Sequence, residues 1–189
     1  MDAGASRQPQ HRPPRRPEHT SYTSGPPVPA RAVAFQRRWG GLALPPAPAY
    51  DGGPRLFAAD TPEPAGAGAW MFETGPQRTA VPYSFVIGPD DAFGLAAGAV
   101  VALHDSIEGW IESVALAHEV AGRARQITTL TGPEADAVAL AGLTPIPEVR
   151  GRADTWWWRD PDTLVAAYGG EAAALDFPAG RTVRVYSLR

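Results

Sequence analysis

Cysteine is absent from this 189-residue chain, and lysine and asparagine are absent with it. The first absence excludes disulfides, thiol catalysis and cysteine-ligated zinc. The second leaves arginine as every one of the 17 basic residues. Lys and Asn share AA-starting codons, while Ala, Gly, Pro and Arg are abundant. The bias reads as that of a GC-rich, bacterial genome, so the arginines are poor grounds for phosphate binding. A formal net charge of −3 argues against nucleic acid as the main partner. Long apolar runs are missing too. None approaches the ~18 residues of a membrane span, and the first residues lack the apolar core of a secretion signal. The expectation is a cytoplasmic protein with no membrane contact.

The usual chemical motifs are missing as well. There is no Gly-x-Ser-x-Gly elbow, no phosphate loop and no Gly-x-Gly-x-x-Gly after a strand. "YDGGP" (50–54) reads as a turn, not a nucleotide cradle. Of the four histidines, His11 and His19 lie in the Pro/Arg-rich beginning. His104 and His118 stand at either end of a predicted helix, roughly 20 Å apart at ~1.5 Å per residue, too far to share a metal. His104 and Asp105 are neighbours in sequence and so seldom face one another. No metal, cofactor or catalytic residue is expected, and the chain reads as a non-enzyme.

What is present begins with a tail. Residues 1–30 are rich in Pro, Arg and Ser/Thr without apolar periodicity, so they cannot offset chain entropy by burial and read as disordered. "ARAVAFQRRWGG" then predicts a short helix stopped by Gly40-Gly41. Residues 42–68 read as a long connection with one short strand at 54–58. "AWMFET", "VPYSFVIG" and "AFGLAAGAVVALH" carry strand signals, with "PDD" (89–91) as a turn. The strongest helix runs over 105–125, with Asp105 as N-cap and Glu108 completing a capping box. Its stripe is Ile107, Trp110 or Ile111, Val114, Ala117 or His118, and Ala121. A second short helix is expected within 132–143. The last segment predicts a β-meander at 155–159, 163–168, 172–177 and 182–188. Asp160-Pro161 also permits a helix at 161–168, though strand is the preferred reading.

"DTWWWRD" (154–160) holds half of the six tryptophans. In a strand, Trp156 and Trp158 point to one face and Trp157 to the other. Trp157 is therefore either covered by a second layer or offered to a partner. Trp and Arg dominate binding hot spots, which makes Trp157 and Arg159 candidate partner contacts. The carboxylates Asp90, Asp91, Glu108 and Glu112 are candidates for the same surface.

Two stretches carry a resemblance. "AVAFQRRWGGLALPP" (32–46) resembles the opening of SMI1/KNR4-type domains, the SUKH superfamily: a helix with a phenylalanine, a Gly-Gly-Leu turn, then a proline. "ALHDSIEGWIESVALAHE" (102–119) resembles their later strand-end, Ser cap and helix with a Trp-x-Glu element. The matching positions are Phe35, Gly40, Gly41, Leu42 and Pro45, then Ser106, Trp110, Glu112 and Leu116. The resemblance covers roughly 32–120. It implies an α+β fold, a mostly antiparallel sheet with helices packed on one side, over 31–126. A helix plus β-meander extension at 127–189 would pack on the same domain. It also implies a non-catalytic protein-binding role, that of an immunity protein that occludes a cognate toxin. The four carboxylates would meet a basic toxin, with the exposed tryptophan as anchor. Two rivals stand beside this reading. One is a small-ligand or enzymatic domain using the Trp triplet with Asp154 or Asp160. The other is a regulatory scaffold that recruits through its tail.

Overall fold

The structure, a computed structural model, describes residues 28–66, 69–175 and 180–189, with backbone alone at 28, 159 and 160. Residues 1–27, most of the expected tail, lie outside the described residues. The boundary itself moves. Val28, Pro29 and Ala30 already form the first turn of α1 (Val28–Trp39), where proline's fixed φ suits a helix start. Ala32 and Phe35 face inward from α1, and Gly41, at φ 87°, turns the chain away from it.

Five strands follow: β1 (Glu63–Gly66), β2 (Ala69–Glu73), β3 (Ser84–Ile87), β4 (Phe93–Ala96) and β5 (Val100–His104). They form one antiparallel sheet in sequence order. Helix α2 (Ile107–Arg123) leaves its last strand. Then come β6 (Gln126–Leu130), α3 (Gly132–Asp136), β7 (Thr144–Pro145), β8 (Asp154–Asp160), β9 (Thr163–Tyr168), α4 (Gly170–Leu175) and β10 (Thr182–Ser187). Their strands make a second antiparallel sheet, ordered β6-β10-β9-β8-β7. The fold is α+β as expected, with two sheets in place of one.

Several local readings change. Residues 172–175 are helical in α4, not a strand, and 176–179 lie outside the described residues. "GEAAAL" has three alanines and no β-branched residue, so helix propensity wins there. Residues 54–58 supply only an isolated bridge, Pro54 to Gln77. The second helix ends at Asp136, well short of 143. Strands β1, β6 and β7 were not anticipated. At 161–168 the strand reading holds. The cap of α2 shifts from Asp105 to Ser106, whose Oγ accepts the Gly109 N–H at 3.3 Å. Asp105 is instead drawn outward to the Arg152 guanidinium at 2.5 Å.

One core joins the two sheets. It takes Phe35 from α1, Phe72, Phe85, Phe93 and Leu103 from the first sheet, and Trp156, Leu164, Tyr168 and Tyr186 from the second. Ile107, Trp110, Val114, Ala117 and Val120 of α2 line it at 3–4 spacing. Within the predicted stripe, Trp110 and Ala117 are the buried choices. Val120 replaces Ala121. The segments 31–126 and 127–189 therefore share this core.

A smaller cluster lies on the far face of the second sheet. Ala135 of α3 packs there on Val165, Ala167 and Val183, with Leu140, Leu143 and Trp157 around them. This answers the tryptophan question. Trp156 is 1% exposed in the main core, and its Nε1–H donates to Ser113 Oγ of α2 at 2.9 Å. Trp157 points the other way and is half-buried against the small cluster. Trp158, near the strand end, is 37% exposed. Trp157→Ala is expected to cost about 2 kcal/mol and Trp158→Ala less than ~1 kcal/mol, because only the first opens a packed site. Urea denaturation of the two variants checks the order.

Candidate functional site

The carboxylates singled out in the sequence do not form one acidic surface. Asp91 lies in the β3–β4 turn at φ 65°, a backbone region that Asp tolerates better than most residues. It pairs with Arg31 of α1, which also donates to the Pro89 and Gly88 carbonyls. Asp90 takes Arg152 Nη1 at 2.7 Å. Partial burial alone would raise the Asp90 carboxyl, but the Arg152 guanidinium and backbone N–H groups bring it below its ordinary 3.8. Glu108, half-buried at the start of α2, pairs with Arg38 of α1 at 3.0 Å. Glu112 is exposed and has no ion pair among the described residues. Three of the four are thus neutralised in place by arginines distant in sequence. The Arg159 side chain lies outside the described residues.

Two of those pairs, Arg31–Asp91 and Arg38–Glu108, frame a groove between α1 and the start of α2. Its volume is about 260 Å³. Phe35, Phe72, Ile87 and Ile107 make an apolar floor, and the Arg31–Asp91 and Arg38–Glu108 pairs stand at its rim. Trp39 is half-buried at the edge, with the Arg38 guanidinium 4.7 Å from its ring centroid. Phe35 meets Phe57 and Phe72 edge-on at 5.8 and 5.5 Å. The helix ends at Trp39; the Gly40 N–H bonds back to Gln36 O, and Gly41 N–H reaches Phe57 O at 2.9 Å. Leu42 (38% exposed) and Pro45 continue the surface beyond it. The resemblance residues thus divide: Phe35 and Trp110 are core, Gly40 and Gly41 are turn, and Leu42 and Pro45 are exposed.

A second constellation was not assembled by sequence reasoning. Tyr50 and Asp51 sit at φ 57° and 48°, followed by Gly52 and Gly53 at 91° and 73°. Consecutive left-handed residues cost free energy that surrounding contacts must offset. The contacts are visible. Tyr50 Oη donates to Asp154 Oδ1 and accepts the Gly170 N–H at 3.1 Å. Gly169 N–H also reaches Asp154 Oδ1, at 3.2 Å. A Cβ on Gly53 would stand 2.9 Å from the Trp110 ring, so that position requires glycine.

Asp154 and His104 are 0% and 1% exposed. Burial raises the Asp154 carboxyl to about 7, against the lowering by Tyr50 and Gly169. Burial lowers the His104 imidazole to about 4. Nε2 and Oδ2 are 3.9 Å apart, beyond hydrogen-bond reach, and neither has a hydrogen-bond partner among the described residues. Asp105 points outward, so no His104–Asp105 pair forms. The nearby cleft of about 300 Å³ is lined by Tyr50, Asp51, Tyr168 and Glu171 but no tryptophan. Asp154 itself is fully buried and does not line that cleft. The Asp160 side chain lies outside the described residues. Only the far placement of Asp154 from Tyr50, 104 residues apart, hid this network in the sequence.

Fold and surface together define a class: an α+β domain of two antiparallel sheets with a charged-rim apolar groove. In comparison with known proteins, no family model, no curated protein and no solved structure matches the chain. Among the described residues, no helix is long and apolar enough to cross a membrane, and no cluster of His, Cys, Asp or Glu could hold a metal ion.

Proposed function

We propose that the chain is a non-catalytic protein-binding domain of SMI1/KNR4 type, an immunity protein that neutralises a toxin by occlusion. The observation that carries the binding half is the α1–α2 groove. Its floor is apolar, its rim is charged, and Trp39 with Arg38 stands at the edge. That is the composition of an interface centre ringed by polar groups. The toxin half rests on the resemblance at 32–46 and 102–119. Asp91 and Glu108 serve this surface by fixing Arg31 and Arg38, not as a free acidic field. Glu112, on the outer side of α2, remains available for steering a basic partner.

The test uses the full chain. A tagged copy isolates a partner from native cells, and the purified partner is then titrated calorimetrically. Arg38→Glu and Trp39→Ala are each expected to weaken binding at least tenfold, a loss of ~1.4 kcal/mol or more. Circular dichroism confirms that the variants remain folded. A partner that binds both folded variants as tightly as the parent removes the groove from the reading. A partner whose toxicity persists in the stoichiometric complex removes the immunity role.

A further inference from the structure

His104 is the last residue of β5 in the first sheet, and Asp154 is the first residue of β8 in the second. The backbone fixes them side by side. The Arg152 N–H donates to Leu103 O at 2.8 Å, and the Arg152 guanidinium reaches Asp105 at 2.5 Å. At Gly151 the two segments run so close that a Cβ would strike the carbonyl oxygens of Leu103 and Asp154. Arg152 and Asp105 turn out to solvent, while His104 and Asp154 turn into the core. Their Nε2 and Oδ2 atoms lie 3.9 Å apart, and each lacks a hydrogen-bond partner among the described residues. An unpartnered buried polar atom is costly, and two side by side point to a common cause.

The rest of the carboxyl is already engaged. The Tyr50 hydroxyl and the Gly169 N–H both donate to Asp154 Oδ1. With two donors facing Oδ1, a carboxyl proton has room only on Oδ2, where it meets Nε2 alone. A neutral imidazole accepts it there when its own hydrogen is on Nδ1. The other titratable groups that act on the pair are Tyr168 of β9, Glu171 of α4 and Asp105. From α2 the His104 ring meets Trp110, at 6.0 Å between centroids. None of these is a cation, and Arg152 is held by Asp90 and Asp105. A shared proton, not a counter-ion, is what can satisfy both atoms.

We propose that Asp154 and His104 form a hydrogen-bonded latch between the two sheets whose donor and acceptor exchange roles with pH. With the carboxyl protonated, Oδ2–H donates to Nε2 and Nδ1 carries the ring hydrogen. When the pair loses a proton, the Oδ2 hydrogen passes to Nε2 and Nδ1 releases its own to solvent. Nε2–H then donates back to the carboxylate. One proton leaves, and the bond persists with its polarity inverted. Each form gives both atoms a partner, and neither needs an imidazolium, which burial disfavours at His104. Closing the gap to hydrogen-bond length asks for about 1 Å of side-chain movement. A second proton on the pair would set two donors face to face and break the latch. Its lower limit is therefore near the value of about 4 to which burial brings His104.

Long-range proton–nitrogen NMR of the full chain, labelled at histidine, tests this. The His104 signals are identified by their loss in His104→Gln. Spectra at about pH 5.5 and about pH 8.5 bracket the value of about 7 for Asp154. At the lower pH the ring is expected to be neutral with its hydrogen on Nδ1. At the higher pH the hydrogen is expected on Nε2. Asp154→Asn should hold the Nδ1–H form at both, because its amide donates to Nε2 and cannot reverse. A parent ring that keeps one tautomer across the range overturns the proposal. A doubly protonated ring at the lower pH overturns it too, by making the pair ionic. So does an asparagine variant that reverses as the parent does, since the cause would then lie outside the carboxyl. If that variant does not fold, the parent spectra alone decide.

Discussion

Trp110→Ala is expected to lower the unfolding free energy by about 4 kcal/mol, the middle of the range for large aromatic core truncations. The residue is 2% exposed and stands where both sheets meet α2. Its ring lies 4.9 Å from Phe93, 5.9 Å from Tyr50, 6.0 Å from His104 and 6.4 Å from Phe85. Gly53 approaches it from the left-handed turn so closely that no Cβ would fit. Truncation opens a cavity bordered by rings that cannot collapse into it. The indole N–H has no hydrogen-bond partner among the described residues, so the loss is one of packing and leaves no orphaned acceptor. Trp110→Phe, which keeps part of the ring, should cost less than half as much. Urea unfolding followed by circular dichroism measures both. A loss under ~1 kcal/mol for the alanine variant would mean that Trp110 does not join the sheets. Domains of this size are stable by only ~5–15 kcal/mol, so the alanine variant sits near the folding threshold.

The elements legible in the sequence were those with a local cause. Helix α2 was readable because its stripe repeats at 3–4 spacing and its caps are near at hand. The turn at 89–91 and the strand at 163–168 were readable from turn residues and alternation. What failed had causes distant in sequence. Asp105 looked like the N-cap, yet Arg152, 47 residues on, claims its carboxylate and the cap falls to Ser106. Asp90, Asp91 and Glu108 looked like a free acidic surface because Arg152, Arg31 and Arg38 are not their neighbours in sequence. β6 is weakly marked because it packs little of itself: four of its five residues are exposed. The triplet was half legible. Alternation predicts that Trp157 opposes its neighbours, but only the fold supplies α3 and its following loop as the second layer.

Asp154→Asn is expected to change the pH dependence of stability between about pH 4 and 7. The carboxyl is fully buried among Tyr50, His104, Tyr168 and the Gly169 N–H, with Glu171 adding a further negative charge nearby. Burial holds it at about 7 in the folded chain, against an ordinary 3.8. Between those values the folded state binds a proton that the unfolded state has released. Stability from this group is therefore greatest at low pH and falls as pH rises through about 4 to 7. The full span corresponds to ~4 kcal/mol. His104 acts in the opposite sense. Burial lowers it to about 4 from 6.5, so the unfolded state binds the extra proton there, and stability rises with pH over that window. The two terms largely cancel in the parent between about pH 4 and 6.5. Asparagine keeps an oxygen for the Tyr50 hydroxyl and the Gly169 N–H but removes the titration. The cancellation then fails. Measured against the parent, the variant should gain stability steadily from pH 4 to 7, by up to ~4 kcal/mol, and the difference should level off above pH 7. Chemical denaturation at half-unit pH steps reads this directly. A difference that does not vary with pH would mean that Asp154 ionises alike in both states. Burial would then not be what sets its proton. A matched His104→Gln variant should tilt the other way, losing stability against the parent over about pH 4 to 6.5 once the compensating histidine is gone.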